Sequence, residues 1–179
     1  MRHLDAVAMI EGAGFDRLVP ATWADLGCGD GTFTLALASL LAPGSIIHAM
    51  DNDASALAQL PAAPSAVRVE KHVDDFTRSW PFTTLLDGIL MANSLHYVQD
   101  QRAFVQSCLA RMSPTGRFLI VEYDTRFVNP WVPFPIDRAR LTELFADIGA
   151  VTIVGTRRST FRRAKLYAAL VSRRSSLTS

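Results

Sequence analysis

Asp25-Leu26-Gly27-Cys28-Gly29-Asp30-Gly31-Thr32 sets three glycines at alternate positions behind an acid that ends a short apolar run. Glycine accepts a positive φ and carries no Cβ, so such a loop can turn tightly and press its backbone against a ligand. A helical pattern starts at Thr32, which places the loop between a strand and a helix, where open α/β sheets hold nucleotide-like ligands. The dinucleotide fingerprint G-x-G-x-x-G is absent, because its third glycine would fall on Thr32 or Thr34. Asp51 ends the next apolar segment, where a carboxylate can accept hydrogen bonds from two ribose hydroxyls. Asp53 reads instead as the N-cap of a short helix from Ala54. Further along, His96, Glu122, Tyr123 and Asp124 are potential proton acceptors after apolar runs. His96 is the best suited, since imidazole titrates near neutrality.

The pattern D-x-G-x-G-x-G resembles motif I of the class I S-adenosylmethionine (SAM)-dependent methyltransferases. The resemblance extends over roughly residues 20–125 and, in outline, the final hairpin. It implies a SAM site built from Asp25, Gly27, Cys28, Gly29 and Gly31, with Asp51 and Asn52 on the ribose side. In Val73-Asp74-Asp75-Phe76 it implies an acid that accepts from the adenine amino group, beside a backbone N–H that meets the ring. Asp74 and Asp75 can both serve. Asp75 is preferred because Asp-Phe-Thr then occupies the ligand-facing turn.

Residues 86–98, Leu-Asp-Gly-Ile-Leu-Met-Ala-Asn-Ser-Leu-His-Tyr-Val, resemble motif IV and its loop. Asn93 is thereby expected beside the methionine part of SAM. The Asn-Ser-Leu-His reading departs from the Asn/Asp-Pro-Pro-Tyr of nucleic-acid amino-methyltransferases, which argues against base N-methylation. His96 and Glu122 are the candidate catalytic residues. Tyr97 and Trp131 are the candidate acceptor contacts. The loop Phe127-Val128-Asn129-Pro130-Trp131-Val132-Pro133-Phe134-Pro135 is expected to give an apolar wall through Trp131 and Phe134.

These residues need a scaffold, and the apolar patterning supplies one. Strands are expected at 22–26, 45–50, 67–73, 87–92, 118–122, 151–155 and 164–172. Helical spacing links most of them, as in Phe33, Leu37, Leu40 and Leu41, or in Phe104, Val105, Cys108, Leu109 and Met112. Leu4, Val7 and Ala8 suggest a short N-terminal helix, and Leu141, Leu144, Phe145 and Ile148 another, closed by Gly149. Residues 113–116, Ser-Pro-Thr-Gly, read as a turn. Alternation of strand and helix predicts an α/β fold, a doubly wound and mostly parallel sheet. No helix fits between the last two strands, so they should form an antiparallel hairpin. The expectation is thus the seven-stranded class I methyltransferase arrangement, one domain over residues 1–172 with a disordered tail at 173–179.

The 179 residues, 49% hydrophobic and 20% charged, suit one globular domain. No membrane span or signal core is legible, and the cytoplasm is the expected location. Cys28 and Cys108 have neither disulfide-framework nor metal-ligand spacing, so no metal is expected. The net charge is +1, yet 13 of the 18 basic residues fall in 91–179. That basic excess is the sole support for an RNA or protein acceptor. A small-molecule acceptor is favoured, and a SAM-binding protein without transfer activity is the remaining reading. The acceptor itself is not legible.

Overall fold

The computed structural model describes residues 1–63, 66–158 and 165–174. The elements run α1 (His3–Ile10), β1 (Thr22–Leu26), α2 (Thr32–Ala38), β2 (Ile46–Asp51), α3 (Ala54–Gln59), β3 (Arg68–Val73) and β4 (Leu86–Ala92). They continue with α4 (Gln101–Leu109), β5 (Met112–Tyr123), α5 (Arg138–Leu144), β6 (Gly149–Arg158) and β7 (Lys165–Arg173). The seven strands form one sheet in the order β3-β2-β1-β4-β5-β7-β6. Strands β1 to β5 pair in parallel, and β7 runs antiparallel between β5 and β6. The expected seven-stranded, mostly parallel sheet with its antiparallel C-terminal hairpin is present.

Alternate residues of the buried strands feed two cores, one on each face. Ala24, Leu26, Ile89, Met91, Phe118 and Ile120 pack under α4 and α5. Trp23, Ile47, Leu90, Leu119 and Val121 pack under α1 and α2. Gly88 permits this close packing, since a Cβ there would lie 2.5 Å from the Trp23 ring. Asp53 caps α3 as expected, accepting from the backbone N–H groups of Ser55 and Ala56. Cys108 is buried in the first core, which pushes its thiol up to about 12. Among the described residues no helix is long and apolar enough to cross a membrane.

Three local expectations change. Helix α1 buries Ala6, Met9 and Ile10, whereas Leu4 is 78% exposed. The 6–9–10 spacing is the stripe that reaches the sheet, and Leu4 lies off it. The turn at 113–116 belongs to β5, where pairing shifts from Leu86 opposite Met112 to Gly88 opposite Arg117. The intervening residues loop out without ending the strand. Gly149 opens β6, and its missing Cβ accommodates the Ser172 carbonyl oxygen, 2.0 Å from where a Cβ would stand. Of the tail, Arg173 lies in β7 and donates to the Ser113 carbonyl. Arg174 donates to the Ile148 and Ala146 carbonyls. Residues 175–179 and much of the basic loop, including Arg162 and Arg163, lie outside the described residues.

Candidate active site

Strand order reverses between β1 and β4, and the loops after their carboxyl ends meet there. This switch point is where open α/β sheets bind ligands. The loop after β1 is the glycine loop, with Gly27, Gly29 and Gly31 at φ of 74°, 54° and 84°. The loop after β4 begins with Asn93, the one non-glycine residue at positive φ (56°) among the described residues. Ser94 locks the two loops together: its Oγ donates to the Leu26 carbonyl at 2.5 Å, and its Cβ occupies the place a Gly27 side chain would take.

Asp25, Gly27, Cys28, Gly29, Thr32, Phe33 and Asn93 line a cavity of about 720 Å³. It is also lined by residues that the sequence did not assign to this site: Met1, Arg2 and Asp5 from the N-terminus, and Arg157 and Arg158, part of the basic C-terminal excess, from β6. Asp5 bridges the two arginines, at 2.6 Å from Arg157 Nη1 and 3.0 Å from Arg2 Nε. Those contacts, Arg157 foremost, hold its carboxyl down at about 2.

Two buried acceptors at this cavity lack partners. Asp25 Oδ2 accepts from the Thr34 hydroxyl at 2.6 Å, but Oδ1 is unpaired, as is Asn93 Oδ1. Orphaned buried acceptors are costly, and here they suit a ligand that brings a cationic amino group. A Cβ at Gly29 would meet nothing within 4 Å, so its outward side opens onto the cavity. Cys28 contributes bulk alone, because burial and the nearby Asp25 and Asp51 push its thiol well above the ordinary range.

Burial lifts Asp25 to about 7, opposed by the Thr34 hydrogen bond and reinforced by the charge of Asp51. Its folded value lies above the unfolded 3.8, so the fold holds the proton more tightly than the unfolded chain does. The stability this confers is complete below about pH 4 and is lost as pH rises through about 7. Without ligand, the thermal midpoint of wild type should therefore fall relative to Asp25→Asn over that window. Parallel melting curves for the two proteins from acid to neutral pH would show that folding leaves the Asp25 carboxyl unshifted.

The remaining expected cofactor residues lie outside the lining of this cavity. Asp51 pins the glycine loop, accepting from Gly29 N at 2.7 Å with Oδ2 and from Asp53 N at 2.9 Å with Oδ1. Its strand end is thus tied to the loop, not open. Asn52 is exposed in the turn between the two acids. Asp75 accepts from the Thr77 backbone N–H and hydroxyl and pairs with Arg78, while Asp74 accepts from Asp75 N and the Ser79 hydroxyl. Phe76 packs behind Gly27 and edge-on to Phe104.

A second cavity of about 660 Å³ shares Asn93 and Tyr123 with the first. His96, Tyr97, Asp124, Phe127, Asn129 and Trp131 also line it. His96 is 2% exposed and Glu122 is 1% exposed. The two are paired: His96 Nδ1 lies 2.6 Å from Glu122 Oε2, and the His96 backbone N–H donates to Oε1 at 3.2 Å. The other ring nitrogen, Nε2, has no partner. Tyr97, Phe127 and Trp131 are more than half exposed around the mouth. Burial first, and then the charges of Glu122 and Tyr123, raise Tyr97, which keeps its hydroxyl protonated. The loop bearing Phe127 and Trp131 is anchored at its base by Arg126–Asp137, by Arg138–Asp124 at 2.8 Å, and by the Tyr167 hydroxyl on the Ile136 carbonyl. Phe134, expected beside Trp131, faces another cavity with Gln101, because its backbone is fastened to the His96 carbonyl and the Gln101 amide.

Comparison with known proteins agrees with this geometry. Residues 24–118, more than half of the chain, match the family model described as a methyltransferase domain. No curated protein matches. The YcgJ protein of Bacillus subtilis is 15% identical with a TM-score of 0.70, over 97% of this chain and 99% of its own. The N-methyltransferase NodS from Bradyrhizobium japonicum WM9 is 15% identical with a TM-score of 0.69, over 96% of this chain and 94% of its own. The magnesium protoporphyrin IX methyltransferase of Synechocystis PCC 6803, solved with bound SAM, is 15% identical with a TM-score of 0.66, over 96% of this chain and 78% of its own. The chain belongs to the methyltransferase domain family and is a SAM-dependent methyltransferase.

Proposed function

We propose that this enzyme methylates a small molecule whose acceptor atom carries a proton, a phenolic or enolic hydroxyl being the class that fits best. The observation that carries this reading is the buried His96–Glu122 pair, of which His96 lines the second cavity, with Nε2 left unpartnered. Glu122 fixes the ring and its tautomer by accepting from Nδ1–H, which leaves the Nε2 lone pair to take a proton from the acceptor. Glu122 acts through His96 and is a positioning residue. Tyr97, Phe127 and Trp131 offer an apolar aromatic rim against which a flat acceptor can lie.

SAM, when bound, supplies an electrophilic methyl group on a sulfonium with a good neutral leaving group. The glycine loop, Asp25 and Asn93 would hold it, with the unpaired Oδ1 atoms of Asp25 and Asn93 receiving its amino group. Asp51 is proposed for the ribose through its remaining lone pairs, and Asp74, Asp75, Phe76 and Asn52 for the adenosine end. Asn93 and Tyr123 belong to both cavities, so they stand where donor and acceptor meet. The chain's main contribution to rate is holding the two in line.

Two points support a small acceptor over a nucleic acid. Three arginines of the basic C-terminal region are engaged with the fold: Arg157 with Asp5, and Arg173 and Arg174 with backbone carbonyls. The similar Synechocystis protein is named for a small planar acceptor, magnesium protoporphyrin IX. The deciding experiment is transfer of labelled methyl from SAM to a panel of phenols, enols, carboxylates, amines and short RNAs. Phenolic or enolic compounds are expected to be labelled. Labelling of RNA alone, or of acceptors that carry no acidic proton, would overturn the proposal.

A further inference from the structure

Three side chains away from both cavities converge on one face at the edge of the sheet. His48 on β2 stands opposite Glu70 on the edge strand β3, and His72 follows two residues later on the same face. His48 Nδ1 is 3.2 Å from Glu70 Oε2 and 3.1 Å from His72 Nε2, and one donor atom from each residue lies within 4.8 Å of the others. A tetrahedral ion bound at about 2.0–2.1 Å sets its ligand atoms roughly 3.3 Å apart. Two of the three spacings already have that value.

The surroundings hold this geometry. The His48 ring is 4% exposed and stacks on Phe82 at 4.0 Å and 7° between planes. His72 packs against the same phenylalanine, with centroids 5.3 Å apart. Glu70 gives Oε1 to Arg68 at 3.2 Å, which turns Oε2 toward the imidazoles. Glu70 and His72 are half-buried, which leaves a path for entry from solvent.

We propose that His48, Glu70 and His72 form a zinc site that clips the edge strand β3 to β2, with the fourth position open to water. Two imidazole nitrogens and one carboxylate oxygen are a donor set that zinc accepts, and softer or harder ions fit it less well. Strand β3 has need of a clip. None of its residues is fully buried, so little apolar packing holds it. No metal was expected from the spacing of the two cysteines, and the three donors share no single local pattern: His48 stands 24 residues before His72 and meets it through strand pairing.

The test uses the full chain, stripped with a chelator and titrated with zinc chloride by calorimetry. Cobalt(II) serves as a spectroscopic probe. One equivalent of zinc should bind, the thermal midpoint should rise with zinc, and cobalt should give the visible bands of a four-coordinate site. His72→Ala and Glu70→Gln should each weaken zinc by roughly tenfold or more and abolish the thermal shift. Neither residue lines the cofactor cavity, so retained SAM binding verifies folding. If His72→Ala does not fold, Glu70→Gln decides alone. Stoichiometric zinc binding that is unchanged in the folded variants, or no saturable binding by wild type, overturns the site. A plain histidine–histidine hydrogen bond would then account for the 3.1 Å contact.

Discussion

His96→Ala is expected to lower methyl transfer to an accepted phenol by about 10²- to 10⁴-fold while leaving SAM affinity within a few-fold. The imidazole is absent from the lining of the glycine-loop cavity, so its loss removes little ground-state binding of the donor. It does remove the proton acceptor, an interaction made in the transition state. A complication follows from burial: Glu122 is 1% exposed and would lose its partner. Breaking a buried pair by deleting one member typically costs about 3–5 kcal/mol of stability. His96→Gln, which keeps a donor for Glu122, separates the two effects. It should fold nearly as well as wild type and still be slow. Glu122→Gln should lower kcat with KM for SAM held, because the imidazole then loses the carboxylate that orients it. If His96→Gln transfers methyl at the wild-type rate, the pair is structural and the base assignment fails.

The parts of the fold that came from local pattern were legible. Short apolar runs marked the strands, Pro43-Gly44 the stop after α2, and the short gap before β7 the antiparallel hairpin. Position in the chain also put His96 after β4 and Glu122 near the carboxyl end of β5. What local pattern does not carry is which side chains meet. His96 and Glu122 are 26 residues apart and come together only because β4 and β5 are neighbours. Asp5 and Arg157 meet at the glycine-loop cavity from opposite ends of the chain, so no spacing rule points to them. Asp51 was legible as a strand-end acid, but not its two bonds to loop backbone, since they depend on how the glycine loop bends. Helix α1 shows the limit from the other side. An eight-residue helix with apolar residues on several faces does not declare which stripe is buried until the sheet beneath it is known.

Gly29→Val is expected to weaken SAM binding by at least about 100-fold with the fold retained, and the reasoning rests on what surrounds each glycine. At Gly31 a Cβ would come 1.8 Å from Leu60 Cδ1, and at Gly27 it would come 2.5 Å from Ser94 Cβ. Substitution at either damages packing, so loss of binding there says nothing about contact with the ligand. At Gly29 no protein atom lies within 4 Å of the added Cβ, and the residue lines the cavity. The space a valine would enter is therefore the cavity itself. The cost to the fold is conformational: φ is 54°, where a branched residue is disfavoured by roughly 1–2 kcal/mol. The bond from Gly29 N to Asp51 at 2.7 Å holds the backbone in place against that strain. Gly29→Ala, with one methyl group in the same space, should fall between the two. The measurements are calorimetric SAM affinity and the thermal midpoint of the ligand-free protein, taken on Gly29→Val, Gly29→Ala and wild type. A folded Gly29→Val that binds SAM as wild type does would mean that the loop backbone does not face the cofactor, and the donor would then have to be placed elsewhere along the carboxyl edge of the sheet.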